Sequence, residues 1–310
     1  MKFNPRKIKR LGLIGALIFL GGYGIYVFTD KYVSQFLESS TPQFQDQLSK
    51  QLGHPLVIGP YKGLRTWGLA VGPSKILKGY KDPSTVSVSS LKVQFAPIAS
   101  FLNWRPVLIF SPKQAKLHLD PNPNGQYWVL GSGENSGTSN LDLRVRLDNS
   151  SELFLDSSKE AINAKLNASF VVPQKRIRGS ISFLFPDKGS LHLEGNGYWD
   201  RLKFLGKIRF LDFNLDNLQS STFSRFNYIA DGRVNSNIQL GVQKSKFICK
   251  GRLSLDNFYL SSLDSSKSTL LSKATTINCR NRTLEILPTQ LKYGLWNVDL
   301  RGIMPIRSRS

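Results

Sequence analysis

The sequence has few of the residue types that carry enzymatic and metal chemistry. Its 310 residues include only two cysteines and three histidines. His54, His118 and His192 are far apart, and none has a second ligand at a metal-binding spacing, so we interpret them as exposed strand or turn residues. The chain also lacks a Gly-x-Ser-x-Gly elbow and the Gly-rich loops that hold phosphates. We therefore predict a non-enzymatic protein without metal or cofactor, and an exported hydrolase is the weakest alternative.

Acidic residues are also scarce. The chain has 21 Asp and Glu against 42 Lys and Arg, which leaves a net charge of +21. Such a surplus favours anionic partners, which are phospholipid headgroups, nucleic acid or acidic polymers. No helix-turn-helix, zinc-finger or aromatic RNA-binding signature accompanies the charge, so we predict no nucleic-acid partner.

Charged residues are absent from one long stretch near the N-terminus. The run LGLIGALIFLGGYGIYVF, residues 11–28, would reach about 27 Å as a helix, enough to cross a hydrocarbon core. Basic residues precede it, and positive charge stays on the cytoplasmic side of a membrane. We predict that residues 1–30 form a cytoplasmic basic tail and a transmembrane signal-anchor, with the remaining chain across the membrane. The cations that set this orientation are Lys2, Arg6, Lys7, Lys9 and Arg10.

A cleaved signal peptide is the alternative interpretation of the same stretch. Its apolar core would be shorter, Leu11 to Leu20, and Gly22 and Gly24 would be the small residues before the cleavage site.

Residues 31–53 have the composition of an amphipathic helix or stalk. Thr41 followed by Pro42 predicts a break, because Thr is a good N-cap and Pro is favoured at the first helical position. Phe44, Leu48 and Leu52 then recur at helical spacing. The helix would serve as a stalk, or would pack on the membrane surface or on the first strands.

The rest of the chain is typical of β structure. Residues 54–130 form a first β region of short extended pieces, in which a parity slip at Ser89–Ser90 predicts a bulge. Residues 131–140, GSGENSGTSN, are a flexible loop and the best candidate for a boundary. Residues 141–310 contain regular alternating strands, which suggest one antiparallel meander.

The alternating strands have one apolar and one polar face. In INAKLNASFVV, residues 162–172, every second residue is apolar, which predicts a strand that buries one side. From the residues alone, a β-sandwich in which these faces form the core is favoured. A loose repeat, GKIRFLDFNLDNL and GRLSLDNFYLSSL, instead favours a sheet that grows by adding similar units. Cys249 and Cys279 fall on apolar positions, as buried thiols or as a disulfide in an oxidising compartment.

Five features in order resemble the TamB family of the AsmA-like superfamily, particularly its cyanobacterial and plastid branch. They are the charged N-terminus with its single span, LGHPLVIGPYKGL with TWGLAVGPSKI, VQFAPIASFLNWRPV, AKLHLDPNPNGQYWV, and INCRNRTLEILPTQLKYGLWNVDLRG. They are spread over nearly the whole sequence.

The resemblance implies a periplasmic protein anchored in the inner membrane. Its elongated antiparallel sheet would curl into a taco-shaped groove that carries phospholipid acyl chains toward the outer membrane. The alternative function is a membrane-tethered β scaffold for outer-membrane protein assembly or secretion, without lipid transfer. About a dozen strands at about 4.8 Å spacing would give a groove roughly 55–60 Å long.

The family's members are several times longer, and they end in a domain that docks at an outer-membrane barrel. We therefore expect this chain to be an N-terminal portion, with the part that contacts the barrel missing.

The alternation also assigns side chains to the two faces of the predicted groove. Those that would face water, outside the groove, are Arg144, Arg146, Arg176 and Arg178. The side chains predicted to line the groove are Leu141, Leu143, Val145, Leu147, Ile162, Leu166, Phe170, Ile177, Ile181, Phe183, Val234, Ile238, Leu240, Leu253 and Leu255.

Overall fold

The computed structural model shows a mostly β protein built on one large sheet. It describes residues 29–43, 45–47, 49–50, 52–79, 82–122, 140–155, 160–198, 203–218, 228–243, 246–262, 270–293 and 295–306. The predicted span at 11–28, its flanking cations and most of the predicted loop at 131–140 lie outside these residues. Within the described part, no helix has the length and apolar character needed to cross a membrane.

The described strands form a single hydrogen-bonded sheet, so they do not divide into the two separate sheets of a sandwich. The strands are β1 Leu56–Val57, β2 Tyr61–Arg65, β3 Gly68–Val71, β4 Ser74–Ile76, β5 Thr85–Val88, β6 Ser90–Phe95, β7 Val107–Lys113, β8 Lys116–Leu119, β9 Asp142–Leu155, β10 Ile162–Val171, β11 Arg176–Leu184, β12 Ser190–Tyr198, β13 Lys203–Asn214, β14 Tyr228–Gln243, β15 Lys246–Ser262, β16 Leu270–Asn281, β17 Thr283–Tyr293 and β18 Trp296–Pro305.

Strands β9 to β18 form the predicted antiparallel meander, in which each strand pairs with the next. The connections have one to seven residues, except for the 13 between β13 and β14, and the alternation of apolar and polar residues keeps one face the same from strand to strand. No described strand pairs with the outer edge of β18, and the sheet is not closed into a barrel.

The first eight strands are the halves of four longer, interrupted strands. β1 pairs with β4, and β2 pairs with β3. Next, β4 pairs with β5 and β3 with β6. Finally, β5 pairs with β8 and β6 with β7. The interruptions fall side by side, at residues 58–60, 72–73, 89 and 114–115, so they form one crease across the sheet. The parity slip at Ser89–Ser90 therefore marks this crease, where the chain passes from β5 to β6, and the predicted simple bulge is wrong.

The two β regions join through parallel pairing, which the sequence analysis did not predict. β7 pairs with the beginning of β9 and β8 with its end, and both pairings are parallel. Between them, β9 has extra residues around Asp148, where its register with β10 shifts. The crease of the first strands thus continues into β9.

The first helix, α1, includes residues 29–43, 45–47, 49–50 and 52 and lies along the outermost strands. The Asp30 carboxylate accepts hydrogen bonds from the Tyr61 hydroxyl (2.5 Å) and the Leu64 backbone N–H (2.8 Å) on β2. The Ser49 hydroxyl accepts a bond of 2.8 Å from the backbone N–H of Leu56 on β1. Side chains of α1 thus occupy backbone donors that an edge strand would otherwise expose.

The contacts with β2 change the acidity of Asp30. The bond from Tyr61, and then the bond from the Leu64 N–H, hold the pKa of the Asp30 carboxyl below its ordinary value.

The helix α1 continues through Pro42, so the predicted break at Thr41–Pro42 is wrong. Thr41 bonds to the Leu37 carbonyl at 2.5 Å from within the helix instead of capping a new one.

The strand ends form two opposite rims, which we name after the short helices that lie there. The α2 rim contains the β2–β3 turn, the helix α2 (Pro97–Asn103) and the 3-10 helix η1 (Val172–Gln174). The η2 rim contains the β11–β12 turn (residues 185–189) and the 3-10 helix η2 (Leu215–Leu218). Because α1 contacts β2 through Asp30 and β1 through Ser49, it runs from the α2 rim to the η2 rim.

Candidate functional site

The strand registers place the predicted apolar side chains on one face of the sheet. On β10, Leu166 lies opposite Leu147 of β9 and Ile181 of β11, and Ile181 lies opposite Leu193 of β12. The alternation correctly predicts this shared face because a strand turns every second side chain the same way. The predicted residues within β9 to β15 that share it are Leu143, Val145, Leu147, Ile162, Leu166, Phe170, Ile177, Ile181, Phe183, Val234, Ile238, Leu240, Leu253 and Leu255, and Leu141 directly precedes β9.

The predicted arginines lie on the opposite face. Arg146 and Arg178 are exposed, while Arg144 and Arg176 are half-buried. Arg144 is half-buried because its guanidinium lies 3.4 Å from the carboxylate of buried Asp142. The sheet therefore has an apolar face and a polar, basic face.

The half of the apolar face next to the η2 rim is packed as a core. Phe213 is 1 % exposed, and its ring lies edge-on to Phe185, with 4.9 Å between ring centroids. Phe185 belongs to the β11–β12 turn, and Leu215 of η2 packs on the same cluster. Turn residues thus cover this end of the face. The buried members of this packed half are Leu153, Ile162, Ala164, Phe185, Phe213 and Val234.

The half of the apolar face next to the α2 rim contains an open cavity of about 340 Å³ on strands β10 to β14. That volume lies at the low end of the range of about 300–1,000 Å³ that is usual for small-molecule sites. We call this region the open half. Its lining includes Leu166, Ala168, Ile177, Ile181, Leu193, Phe204, Ile208 and Leu240.

Glycines shape the floor of the open half. Gly179, Gly195 and Gly206 are register partners on β11, β12 and β13. A Cβ at Gly195 or Gly206 would lie 2.8 or 2.7 Å from the ring of Phe204, so that ring lies over both glycines. Phe204 is nevertheless 47 % exposed. Without side chains beneath it, the ring lies close to the sheet and leaves the cavity open above.

Beyond the open half, β15 and β16 are joined covalently. Cys249 and Cys279 form a disulfide with Cα atoms 5.6 Å apart, and both side chains are buried. Cys249 is the register partner of Leu240, which lines the cavity. Of the two states that the sequence left open, the structure has the bridged one.

Two of the three histidines differ from their predicted exposed positions. His54 is buried, with Nδ1 3.0 Å from the Leu77 carbonyl oxygen and Nε2 3.5 Å from the Asp82 carboxylate, so the prediction is wrong there. His192 is half-buried and shares a 2.7 Å hydrogen bond with Ser182. Only His118 is exposed, stacked on Phe154. Among the described side chains, no group of three or more His, Cys, Asp or Glu is placed to hold a metal ion.

Several cavity residues were not among the predicted lining. Ala168, Leu193, Phe204 and Ile208 continue the same alternation, and the period-two pattern carries the signal that would have found them. The glycines beneath Phe204 have no such signal, because their alignment depends on the register of three strands.

No family model, curated protein or solved structure matches the chain.

Proposed function

We propose that this chain binds phospholipid acyl chains on its apolar face and carries them toward the outer membrane, as a non-enzymatic member of the TamB family. In this proposal residues 11–28 anchor the chain in the inner membrane, and the sheet lies in the periplasm and curls around the lipid. The observation that carries the proposal is the cavity of the open half, which has an apolar lining and a half-exposed Phe204.

Burial of hydrocarbon supplies the affinity in this mechanism. Each methylene removed from water contributes about 0.8 kcal/mol, so an acyl chain needs contact area more than specific hydrogen bonds. The open half offers such area because its glycines leave room that larger side chains would fill. Selectivity for the headgroup would be weak, because the lining is mostly aliphatic.

The apolar face extends well beyond this cavity. Nine spacings of about 4.8 Å separate β9 from β18, so the face would extend roughly 43 Å across the strands. Gly251, Leu253 and Cys279 continue it on β15 and β16. A lipid that enters at the open half would therefore find further apolar surface along the sheet.

Mass spectrometry of the full chain, purified in mild detergent, tests this proposal. We expect bound phospholipid in the unaltered protein and several-fold less in Leu166→Glu, because the carboxylate would lie in the cavity. Lys165→Glu is the matched control, since Lys165 directly precedes Leu166, is exposed and lies on the opposite face. It should retain its lipid.

Melting temperatures separate binding from packing. The proposal requires that Leu166→Glu lowers lipid occupancy while the melting temperature stays near that of Lys165→Glu. A protein that purifies without lipid, or a Leu166→Glu variant that simply unfolds, would show that Leu166 is an ordinary core residue.

The outer edge of β18, with which no described strand pairs, favours a scaffold as the second candidate function. All of β18 is exposed except the half-buried Gly302, and an edge strand can pair with a strand of another chain. If β18 templates an outer-membrane protein strand, Val298→Pro should abolish capture of that client and leave lipid content unchanged. A Val298→Pro chain that loses its lipid but still captures the client would favour the lipid carrier instead.

A further inference from the structure

The helix α2 presents its apolar side chains away from the protein. Its one buried residue is Ser100, whose hydroxyl donates to the Ala96 carbonyl and accepts from the Val107 N–H, at 2.8 and 2.9 Å. Ile98 and Leu102, by contrast, are 77 % and 71 % exposed. A surface helix normally buries its apolar residues and exposes its polar ones, so α2 is inverted.

Two exposed tryptophans flank this helix, and both have unusual backbone conformations. Trp67 in the β2–β3 turn and Trp104 at the end of α2 have φ values of 59° and 52°. The left-handed region costs a bulky L-residue roughly 1–2 kcal/mol, and at Trp104 it forms the C-cap of α2. Trp104 is 83 % exposed beside Phe101, with 5.7 Å between ring centroids. Trp67 is 65 % exposed, so both indoles lie in solvent.

These side chains form one surface, which we call the aromatic patch. The Phe95 N–H donates a 2.7 Å hydrogen bond to the Trp67 carbonyl, and α2 begins two residues after Phe95. The β2–β3 turn is thus adjacent to the beginning of α2. The patch consists of Trp67, Ile98, Phe101, Leu102 and Trp104.

The patch lies where the chain arrives from its long apolar segment. Residues 11–28 are uncharged, and Asp30, two residues further on, bonds to the Leu64 N–H at the α2-rim end of β2. Trp67 follows Leu64 by three residues. A bilayer that holds residues 11–28 would therefore lie within a few residues of the patch.

The α2 rim is also the more basic of the two rims. Described cations at the α2 rim are Arg65, Arg105, Lys175, Arg176, Lys203, Arg280 and Arg282, and they outnumber the carboxylates there, Asp30 and Asp142. At the opposite, η2 rim the described carboxylates Asp82, Asp120, Glu160, Asp187 and Asp216 outnumber the cations Lys78, Lys188 and Lys292. A Lys or Arg near an anionic leaflet is attracted to it, and Trp prefers the interface between headgroups and acyl chains.

We propose that the aromatic patch docks on the bilayer that holds residues 11–28, so that the α2 rim rests on the lipid surface. This inference rests on the proposed membrane anchor. Docking also brings the open half to the membrane: the Asp142 N–H at the beginning of β9 bonds to the Pro106 carbonyl just after α2, and the Val172 N–H at the end of β10 bonds to the Leu141 carbonyl. Lipid would then enter the cavity across this rim.

Fluorescence of a labelled full chain tests the docking. Phe101→Cys is labelled with an environment-sensitive dye and reconstituted in vesicles of phosphatidylcholine with phosphatidylglycerol, while the native cysteines remain in their disulfide. The matched control is Leu295→Cys, because Leu295 is 99 % exposed and lies at the η2 rim. We expect brominated lipid to quench the dye at 101 at least about threefold more than at 295.

A second variant tests the patch itself. Ile98→Glu with Trp104→Glu, in the Phe101→Cys chain, should reduce the quenching roughly tenfold. Both residues are exposed, so the melting temperature should not change. Equal quenching at 101 and 295, or none at either position, would overturn the proposal. A blue shift that brominated lipid does not quench, and that grows with protein concentration, would assign the patch to a second copy of the chain.

An alkaline wash of the same vesicles separates this inference from the anchor. If the chain stays in the vesicles and the dye at 101 remains in water, the anchor holds and docking is refuted. If the wash removes the chain, the anchor is refuted, and docking fails with it.

Discussion

The two halves of the apolar face come from the same alternating strands, yet one is a packed core and the other is an open cavity. On β13, Phe213 in the packed half is 1 % exposed and Phe204 in the open half is 47 % exposed. The strand, the face and the residue type are the same. The difference therefore comes from what lies above each ring.

Turns and bulges account for the packed half. Phe185 from the β11–β12 turn and Leu215 from η2 contribute side chains to its cluster. The register of β13 shifts between Phe210 and Phe213, where Asp212 has a φ of 46°. Bulges of this kind bend a strand and increase its twist. Alternation thus decides the face of a residue, and the connections decide whether that face is covered.

The largest expected effect comes from truncating each phenylalanine in turn. Phe213→Ala should lower the free energy of unfolding by about 3–5 kcal/mol, because it leaves a cavity in a filled cluster. Phe204→Ala should cost less than about 1 kcal/mol, because its ring is half in solvent. Urea unfolding followed by tryptophan fluorescence measures both. Equal losses would mean that the two halves are packed alike, and the comparison would fail.

The disulfide beside the open half should have the next largest effect. It closes a loop of 30 residues, for which chain entropy predicts a stabilisation of about 3–4 kcal/mol. Cys249→Ala with Cys279→Ala should lose most of this.

Hydrogen exchange would locate that loss. Amides on β14 near Leu240, in the open half, and on the adjacent strand β15 should exchange faster, and amides near Phe213 should change less. Uniform acceleration in both halves would show that they unfold as one unit.

The sequence predicts the sheet better than it predicts the site. Leu166 and Ile181 could be assigned to one face because a strand places every second residue on the same side. The helix α2 escaped prediction because short extended pieces surround it, although Pro97 and the spacing of Ile98, Phe101 and Leu102 carried a helical signal. The crease produced the same parity slip at Ser89 as a bulge would.

Which half of the apolar face stays open depends on contacts distant in sequence. The ring of Phe204 lies over Gly195 and Gly206 only because the registers of β12 and β13 bring the three together. Phe185 covers the packed half because of a turn. Neither relation follows from a local pattern, so the lining was predicted more broadly than the cavity.

Two glycine substitutions sharpen the comparison on a smaller scale. A Cβ at Gly179 would lie 2.7 Å from the Asn167 carbonyl oxygen, so Gly179→Ala should cost about 1–3 kcal/mol by forcing β10 and β11 apart. A Cβ at Gly206 would come equally close to the tip of the Phe204 ring, which can move. Gly206→Ala should change the melting temperature little. It should also push the Phe204 ring further into solvent, and stronger iodide quenching of a nearby dye would report that movement.

The smallest expected effect concerns α1, whose attachment should be independent of both halves of the apolar face. The folded pKa of Asp30 is lowered, so its contribution is present above the unfolded value of 3.8 and is lost as the pH falls through the folded pKa. Asp30→Asn should therefore accelerate amide exchange at Leu64 at neutral pH, whereas Asp46→Asn, on the exposed side of α1, should not. Because Asp30 bonds to β2, at the edge of the sheet away from β13 and β14, the amides near Phe213 and Leu240 should keep their protection in both variants. Faster exchange near Leu240 as well would mean that the edge helix and the open half are coupled.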